Sequence, residues 1–387
     1  MSKAKLKIFI VAGEASGDNI GAKLISALKA KVDNLEFYGI GGTKMLKAGL
    51  QSIFPMEELS IMGFAEVIPK IPTILRLLKQ TVDIITELQP DIIITIDSFG
   101  FNSRLIKKVR ARLASKIKIY HYVSPTVWAY KPERAKIVSQ LYDHIFVILP
   151  FEKQYYDAIN FPATFVGHPF TEDYKPVSLQ QKQRIRKDLG INNDTLVCAV
   201  MPGSRRGEIA KHSGIFFKAL MEVKKQANQP IMFYIPTFSH IKSRIAEEFP
   251  LSELLITDNQ ELKKQLFKIT DLALVKSGTS SVEMMLNNIP HIVAYKISWL
   301  SYWYLKAQIL VKYISLVNII NDKLIVPEFI QGNCQPELIS KELLKLANNE
   351  SVRQKQQSAF QATLKLLGLD AKQTPSQKVA DVVLKKD

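Results

Sequence analysis

The chain has 387 residues, 47% of them hydrophobic, with 52 Lys and Arg against 36 Asp and Glu and a net charge of +16. This composition excludes a disordered chain, and the length exceeds one ordinary core, so two α/β domains are expected. The basic excess calls for an anionic partner, and charge alone does not choose among a nucleic acid, an acidic membrane face and a phosphorylated substrate.

The two cysteines, Cys198 and Cys334, form no CxxC or Cys/His ligand pattern, which fits a reducing compartment. The first residues run straight into Ile8-Phe-Ile-Val11, an apolar run of strand length and too short for a signal segment, so a cytoplasmic location is expected. The apolar stretch from Trp299 to Val317 is broken by Lys306, Gln308 and Lys312, and no spanning helix is expected there.

Apolar runs then alternate with amphipathic stretches. Lys7–Val11 reads as a strand, and Asp18 to about Leu28 as a helix capped by Asp18. Between them, Ala12-Gly13-Glu14-Ala15-Ser16-Gly17-Asp18 lacks the GxGxxG pattern, and Glu14 would repel a phosphate. It reads either as a hydroxyl-binding loop or as a plain strand-to-helix turn. Strands follow at Leu35–Tyr38 and Asp91–Ile96, with a helix at Thr73–Leu88 between them. The segment 61–79 ahead of and into that helix is apolar on most sides and punctuated by Lys70, Arg76 and Lys79. Its Phe64, Val67, Ile68, Ile71 and Leu75 suit either a lipid-facing surface or buried packing.

The strand ending at Ile96 delivers Asp97 at its carboxyl end, where open α/β sheets bind ligands. Asp97 is therefore a candidate general base, with a helix cap as the plain alternative. Strands at Ile117–Val123, Ile145–Ile148 and Ala163–Val166 complete the first half, and Thr171–Val177 reads as a polar linker.

The rhythm restarts with a helix at Leu179–Leu189 and a strand at Leu196–Met201. Pro202-Gly-Ser-Arg-Arg-Gly-Glu208 follows, a turn whose Arg205 and Arg206 suit phosphate oxygens. Strands at Ile231–Ile235 and Leu254–Ile256 and a helix at Glu261–Phe267 lead to Leu272-Ala-Leu-Val-Lys-Ser-Gly-Thr-Ser280, a buried strand passing through a small-residue turn into a helix. Ser277, Gly278, Thr279 and Ser280 leave N–H groups at the helix N-terminus for a diphosphate, and Glu283 lies one turn in, within reach of a ribose hydroxyl. A Ser-capped turn is the alternative.

His291–Ala294 is the last strand expected. Trp299, Tyr302, Trp303 and Tyr304, with Lys306 and Lys312, form an interfacial patch or a partner surface, which leaves a homodimer open. The expected organisation is an N-terminal domain over 1–170, a second over 171–350, and a helical tail over 351–387 that crosses back to the first.

The six histidines show no HxH, HExxH or Cys/His spacing, so neither a metal nor a cofactor is expected. GxSxG and GxxxxGK[ST] are also absent, which argues against a serine hydrolase or a P-loop enzyme. Aromatic and basic residues are not interleaved in an RNA-binding motif, and no nucleic-acid partner is expected.

One ordered set of motifs remains: Gly13-Glu-Ala-Ser-Gly-Asp18, Met62-Gly63, Asp97 with Phe101-Asn102, His121-Tyr-Val-Ser-Pro125 with Val127-Trp-Ala129, Leu149-Pro-Phe-Glu152, Gly167-His168, Pro202-Gly-Ser-Arg205, and Ser277-Gly-Thr279 with Glu283. In order and spacing this set resembles the lipid-A-disaccharide synthases, bacterial glycosyltransferases with two Rossmann-like domains facing across a cleft (GT-B type). The chain departs from the family pattern at Ser98-Phe99-Gly100, where the family commonly has Ala-Pro-Asp or Tyr-Pro-Gly.

The resemblance implies condensation of UDP-2,3-diacylglucosamine with 2,3-diacylglucosamine 1-phosphate (lipid X), with inversion, to give lipid A disaccharide 1-phosphate and UDP. It implies Asp97 as the base, Glu14 as a group that orients the acceptor, Arg205 and the 277–280 turn on the UDP, Glu283 on the ribose, and Asn318 and Gln331 near the donor. It also implies peripheral contact between segment 61–79 and anionic inner-membrane lipids from the cytoplasmic side. The alternative is another UDP-sugar enzyme of the same build, a lipid-linked N-acetylglucosaminyltransferase or a UDP-N-acetylglucosamine 2-epimerase.

Overall fold

Every described strand pairs in parallel, and this follows from the uninterrupted apolar runs. A sheet covered by helices on both faces needs strands that are apolar on both faces. The structure is a computed structural model that describes residues 5–59, 71–113, 117–249, 254–299, 302–303 and 308–385, with the side chains of His240 and Thr279 left out. Contacts divide the chain into one compact unit of Met1–Asp173 with Leu366–Asp387 and a second of Tyr174–Lys365.

The first unit holds a seven-stranded sheet in the order β3-β2-β1-β4-β5-β6-β7. Its strands are β1 (Leu6–Ala12), β2 (Leu35–Ile40), β3 (Leu50–Ser52), β4 (Ile92–Ile96), β5 (Lys118–Tyr122), β6 (His144–Val147) and β7 (Ala163–Phe165). The register of β1 on β4 sets Ile8 beside Ile92 and Ala12 beside Ile96. Alternate residues feed two cores. Phe9, Val11 and Ile93 pack with Leu78 and Leu105 on one face, and Ile8, Ile10 and Ile94 pack with Leu24, Val379 and Val383 on the other.

Val379 and Val383 belong to the helix Pro375–Leu384, which a Thr374/Gln377 capping box starts and which lies in the first unit. Glu172 accepts hydrogen bonds from the Ser376 amide and hydroxyl at 2.8 Å each, and Lys31 pairs with Asp381. The helix thereby covers a sheet face laid down by the start of the chain.

The second unit holds a six-stranded sheet in the order β10-β9-β8-β11-β12-β13. These are β8 (Leu196–Met201), β9 (Ile231–Pro236), β10 (Leu255–Thr257), β11 (Leu272–Lys276), β12 (His291–Tyr295) and β13 (Glu328–Ile330). Cys198, Val200, Leu274 and Ile292 pack beneath Phe216, Leu220 and Leu343. The described strands include two absent from the sequence reading, β3 and β13, both three-residue edge strands. Among the described residues no helix is long and apolar enough to cross a membrane.

Candidate active site

In the first sheet the chain runs from β1 to β2 and β3 on one side and returns at β4 on the other. The carboxyl ends of β1 and β4 therefore diverge at a switch point, where such sheets hold ligands. Glu14 follows β1 and Asp97 follows β4. Gly13 lets the two loops touch, since a Cβ at that position would lie 2.8 Å from the Ser98 hydroxyl.

Asp97 and Ser98 both adopt left-handed backbone, with φ of 50° and 42°, a conformation more accessible to Asp than to most residues. The Asp97 amide donates to the Tyr122 carbonyl at 2.9 Å, and the buried Asn102 side chain donates to the Asp97 carbonyl at 2.8 Å. Phe99 takes the first position of the helix Phe99–Arg112, a position that also suits proline. Its ring meets His121 edge-on with centroids 5.7 Å apart, so the helix starts normally despite the departure from the family pattern.

Burial raises the Asp97 carboxyl above its ordinary range, and the Ser98 amide opposes the shift. Burial also raises the Glu14 carboxyl, and the Asp97 charge adds to it. Beside them opens a cavity of about 520 Å³, apolar along Leu59, Ile74, Leu78 and Phe101. Ile71 and Leu75 also line it and are 43% and 56% exposed. Phe64, Val67 and Ile68 lie outside the described residues.

The neighbouring motifs act as scaffolding. Glu152 is buried and accepts hydrogen bonds from the Ile148 and Leu149 amides and, at 3.1 Å, from Trp128 Nε1. Burial raises its carboxyl to about 7 against those bonds. His121 meets Thr95 Oγ1 at 2.6 Å and burial holds it down to about 3, as a neutral core histidine.

Asp18 corrects the sequence reading. Its helix spans Ala15–Lys29, so Asp18 lies inside the first turn rather than at the cap. Its carboxylate instead accepts the amides of Gly42, Lys44 and Met45 at 2.9, 3.0 and 2.9 Å and caps the helix Thr43–Ala48.

The second sheet has its own switch point between β8 and β11. A pocket of about 170 Å³ lies there, lined in part by Ser204, Thr237, Lys263, Lys276, Ser280 and Glu283. Gly278 occupies the cap position of the helix Thr279–Leu286 with φ 136°, and among the described residues no side chain caps that helix. The Ser-capped alternative therefore falls away, and first-turn amides are left to a ligand.

Lys276 pairs with Glu208 at 3.0 Å, and Glu208 also accepts the Ser204 amide at 3.2 Å. Burial works to raise the Glu208 carboxyl, but Lys276 and the Ser204 and Arg205 amides together outweigh it and the net shift is downward. Glu283 pairs with Lys263 at 3.3 Å. Gly203, with φ 132°, is required because a Cβ there would lie 2.7 Å from the Glu208 side chain.

Arg205 is exposed at the start of the helix Arg206–Gln226. Asn318 and Gln331 are not brought to this pocket's lining. Asn318 is fully buried; its amide donates to Val326 O and Glu328 Oε1 and accepts from the Ile325 and Val326 amides. Gln331 is also buried and clasps the amide and carbonyl of Ile297.

The sequence reading missed Lys276, Lys263, Glu208 and Arg104. Lys276 was within reach of it, since it immediately precedes Ser277. Lys263 and Arg104 carry no local signal, because only the packing of their helices brings them to a pocket.

The profile of the lipid-A-disaccharide synthetase family matches residues 8–382. The lipid-A-disaccharide synthase of Rickettsia bellii is 39% identical over 97% of this chain and 98% of its own length. The lipid-A-disaccharide synthase of Rhodospirillum centenum is 36% identical over 98% and 94%. Among solved structures, the UDP-GlcNAc 2-epimerase from Neisseria meningitidis bound to UDP-GlcNAc superposes with a TM-score of 0.66 at 14% identity, covering 98% of this chain and all of that one, a likeness of fold.

Proposed function

The chain belongs to the lipid-A-disaccharide synthetase family, and from that premise we propose the reaction it performs: transfer of 2,3-diacylglucosamine from UDP to the 6-hydroxyl of lipid X, giving the β-1,6-linked disaccharide 1-phosphate and UDP. The family makes it a glycosyltransferase of lipid A biosynthesis. The observation that carries the finer reading is the Asp97–Glu14 pair at the head of an apolar cavity. A base that must act beside acyl chains needs both features.

Asp97 takes the proton as the acceptor hydroxyl attacks the anomeric carbon, and burial raises its carboxyl in the direction that makes it a stronger base. Glu14 orients the hydroxyl. A single displacement inverts the anomeric centre. Negative charge grows on the departing diphosphate and is met by Arg205 and the amides of Thr279 and Ser280, with Ser277 and Gly278 shaping the turn.

Glu283 exchanges Lys263 for the ribose hydroxyls, which releases that cation toward the diphosphate. Asn318 and Gln331 act on the donor through the loops they pin. A fold neighbour bound to UDP-GlcNAc supports a UDP-sugar as donor. Phe64, Val67 and Ile68, with the exposed Ile71 and Leu75, keep the enzyme on the anionic cytoplasmic face of the inner membrane.

Purified protein incubated with UDP-2,3-diacylglucosamine and lipid X should release UDP and disaccharide in equal amounts, with a β linkage by NMR. An epimer of the donor sugar without disaccharide would exclude the reading. Asp97→Asn should lower kcat by about 10²–10⁴-fold, and near-normal turnover would remove Asp97 from the role of base.

A further inference from the structure

We infer that the cavity beside Asp97 and Glu14 is the subsite of an acylated, phosphorylated acceptor sugar, and that Arg104 takes its phosphate. The inference rests on the reaction proposed above and adds to it the way round in which the acceptor lies.

The cavity, about 520 Å³, is of the size that holds a small molecule. Leu59, Ile74, Leu78 and Phe101 offer a hydrocarbon chain an apolar wall and offer a sugar ring nothing to bond. Among the described lining residues two carry charge, Glu14 and Arg104. A phosphomonoester is repelled by Glu14, which leaves Arg104.

Arg104 is exposed, and its guanidinium donates to the Gly100 carbonyl one turn back along its own helix. Among the described residues it pairs with no carboxylate, so its charge is not neutralised. The side chain is folded back toward the loop that carries Asp97. The Gly100 carbonyl that holds the guanidinium lies three residues after Asp97, which is at most about 11 Å of chain. A hexosamine with its 6-hydroxyl at one end and a 1-phosphate at the other spans a comparable reach. With the hydroxyl at Asp97, the phosphate falls to Arg104 and an acyl chain falls to the apolar wall. The planar fork of arginine suits two phosphate oxygens at once.

The test compares 2,3-diacylglucosamine 1-phosphate with the same lipid lacking its phosphate, both in detergent micelles. Binding is measured by calorimetry without donor, and turnover with donor. Arg104→Gln should weaken binding of the phosphorylated acceptor about tenfold or more and leave the unphosphorylated one unchanged. In turnover the KM for lipid X should rise while kcat and the KM for the donor hold. A merely structural role would weaken both acceptors alike.

That result, or wild-type protein that binds the two acceptors equally, or Arg104→Gln that weakens neither, overturns the assignment. Arg104-dependent binding without disaccharide formation would keep the subsite and remove the reaction. Disaccharide formation with Arg104→Gln unimpaired would keep the reaction and remove the subsite.

Discussion

Asp97 owes its chemistry to uncharged neighbours. Asn102 and the Tyr122 carbonyl fix its left-handed backbone, and burial raises its carboxyl before any other charge acts on it. The nearby Glu14 adds a like charge, which makes each carboxylate harder to form while the other is ionised. A base works only when ionised, so the acid limb of the kcat/KM profile should report Asp97. The repulsion falls on Glu14, while the Asp97 shift comes from burial, so Glu14→Gln should leave that limb in place. A limb that moves to lower pH would show that Glu14 ionises ahead of Asp97.

At the scale of elements, the Gly13–Asp18 turn does two jobs that its sequence does not separate. Its first glycine admits Ser98, and its last carboxylate reaches across to start the helix Thr43–Ala48. A six-residue helix has little stability of its own, so three amide bonds to one carboxylate decide whether it forms. Asp18→Ala should cost about 2–3 kcal/mol in urea denaturation, with hydrogen exchange quickening first at 42–48. A cost below about 0.5 kcal/mol would mean that water replaces the cap.

The sequence displayed this turn plainly and misassigned its carboxylate, because periodicity locates a helix start and says nothing of which helix a buried acid serves. The same physics sorts the remaining residues. Parallel strands buried on both faces announce themselves as apolar runs, so β1, β4, β8 and β11 were legible and delivered Glu14, Asp97 and Ser277 with them. Three-residue edge strands were legible where an apolar run continues, as at β7 and β10, and not at β3, where Gln51 and Ser52 follow one leucine, or at β13, which opens on Glu328. Arg104 and Lys263 sit on helix faces, where a solvated cation and a ligand-facing one have the same local sequence. The resemblance put Asn318 and Gln331 near the donor, yet both spend their amides mainly on backbone that only the folded loop brings near.

On the scale of the whole molecule, the first unit depends on residues more than two hundred positions away from most of its sheet. Val379 and Val383 lie in the same core as Ile8, Ile10 and Leu24. A charge placed there has no partner and cannot reach water. Val379→Asp should destabilise the first unit by about 4 kcal/mol. Scanning calorimetry should then show its transition moved down while that of residues 174–365 stays where it was. Equal movement of both would show that the two units melt as one.

The return of the chain at Leu366 also sets a timetable. A domain usually folds as its residues leave the ribosome, the first before the second. Here residues 174–365 are delivered whole while the earlier sheet still lacks the helix Pro375–Leu384. During synthesis the earlier sheet waits with part of one apolar face uncovered, the part that Val379 and Val383 later fill, and the later unit can finish ahead of it. The carboxylate of Glu172, near the exit of the first pass through that unit, meets the Ser376 amide only when the last turns of chain arrive, and it closes a fold whose first pass ended some two hundred residues before.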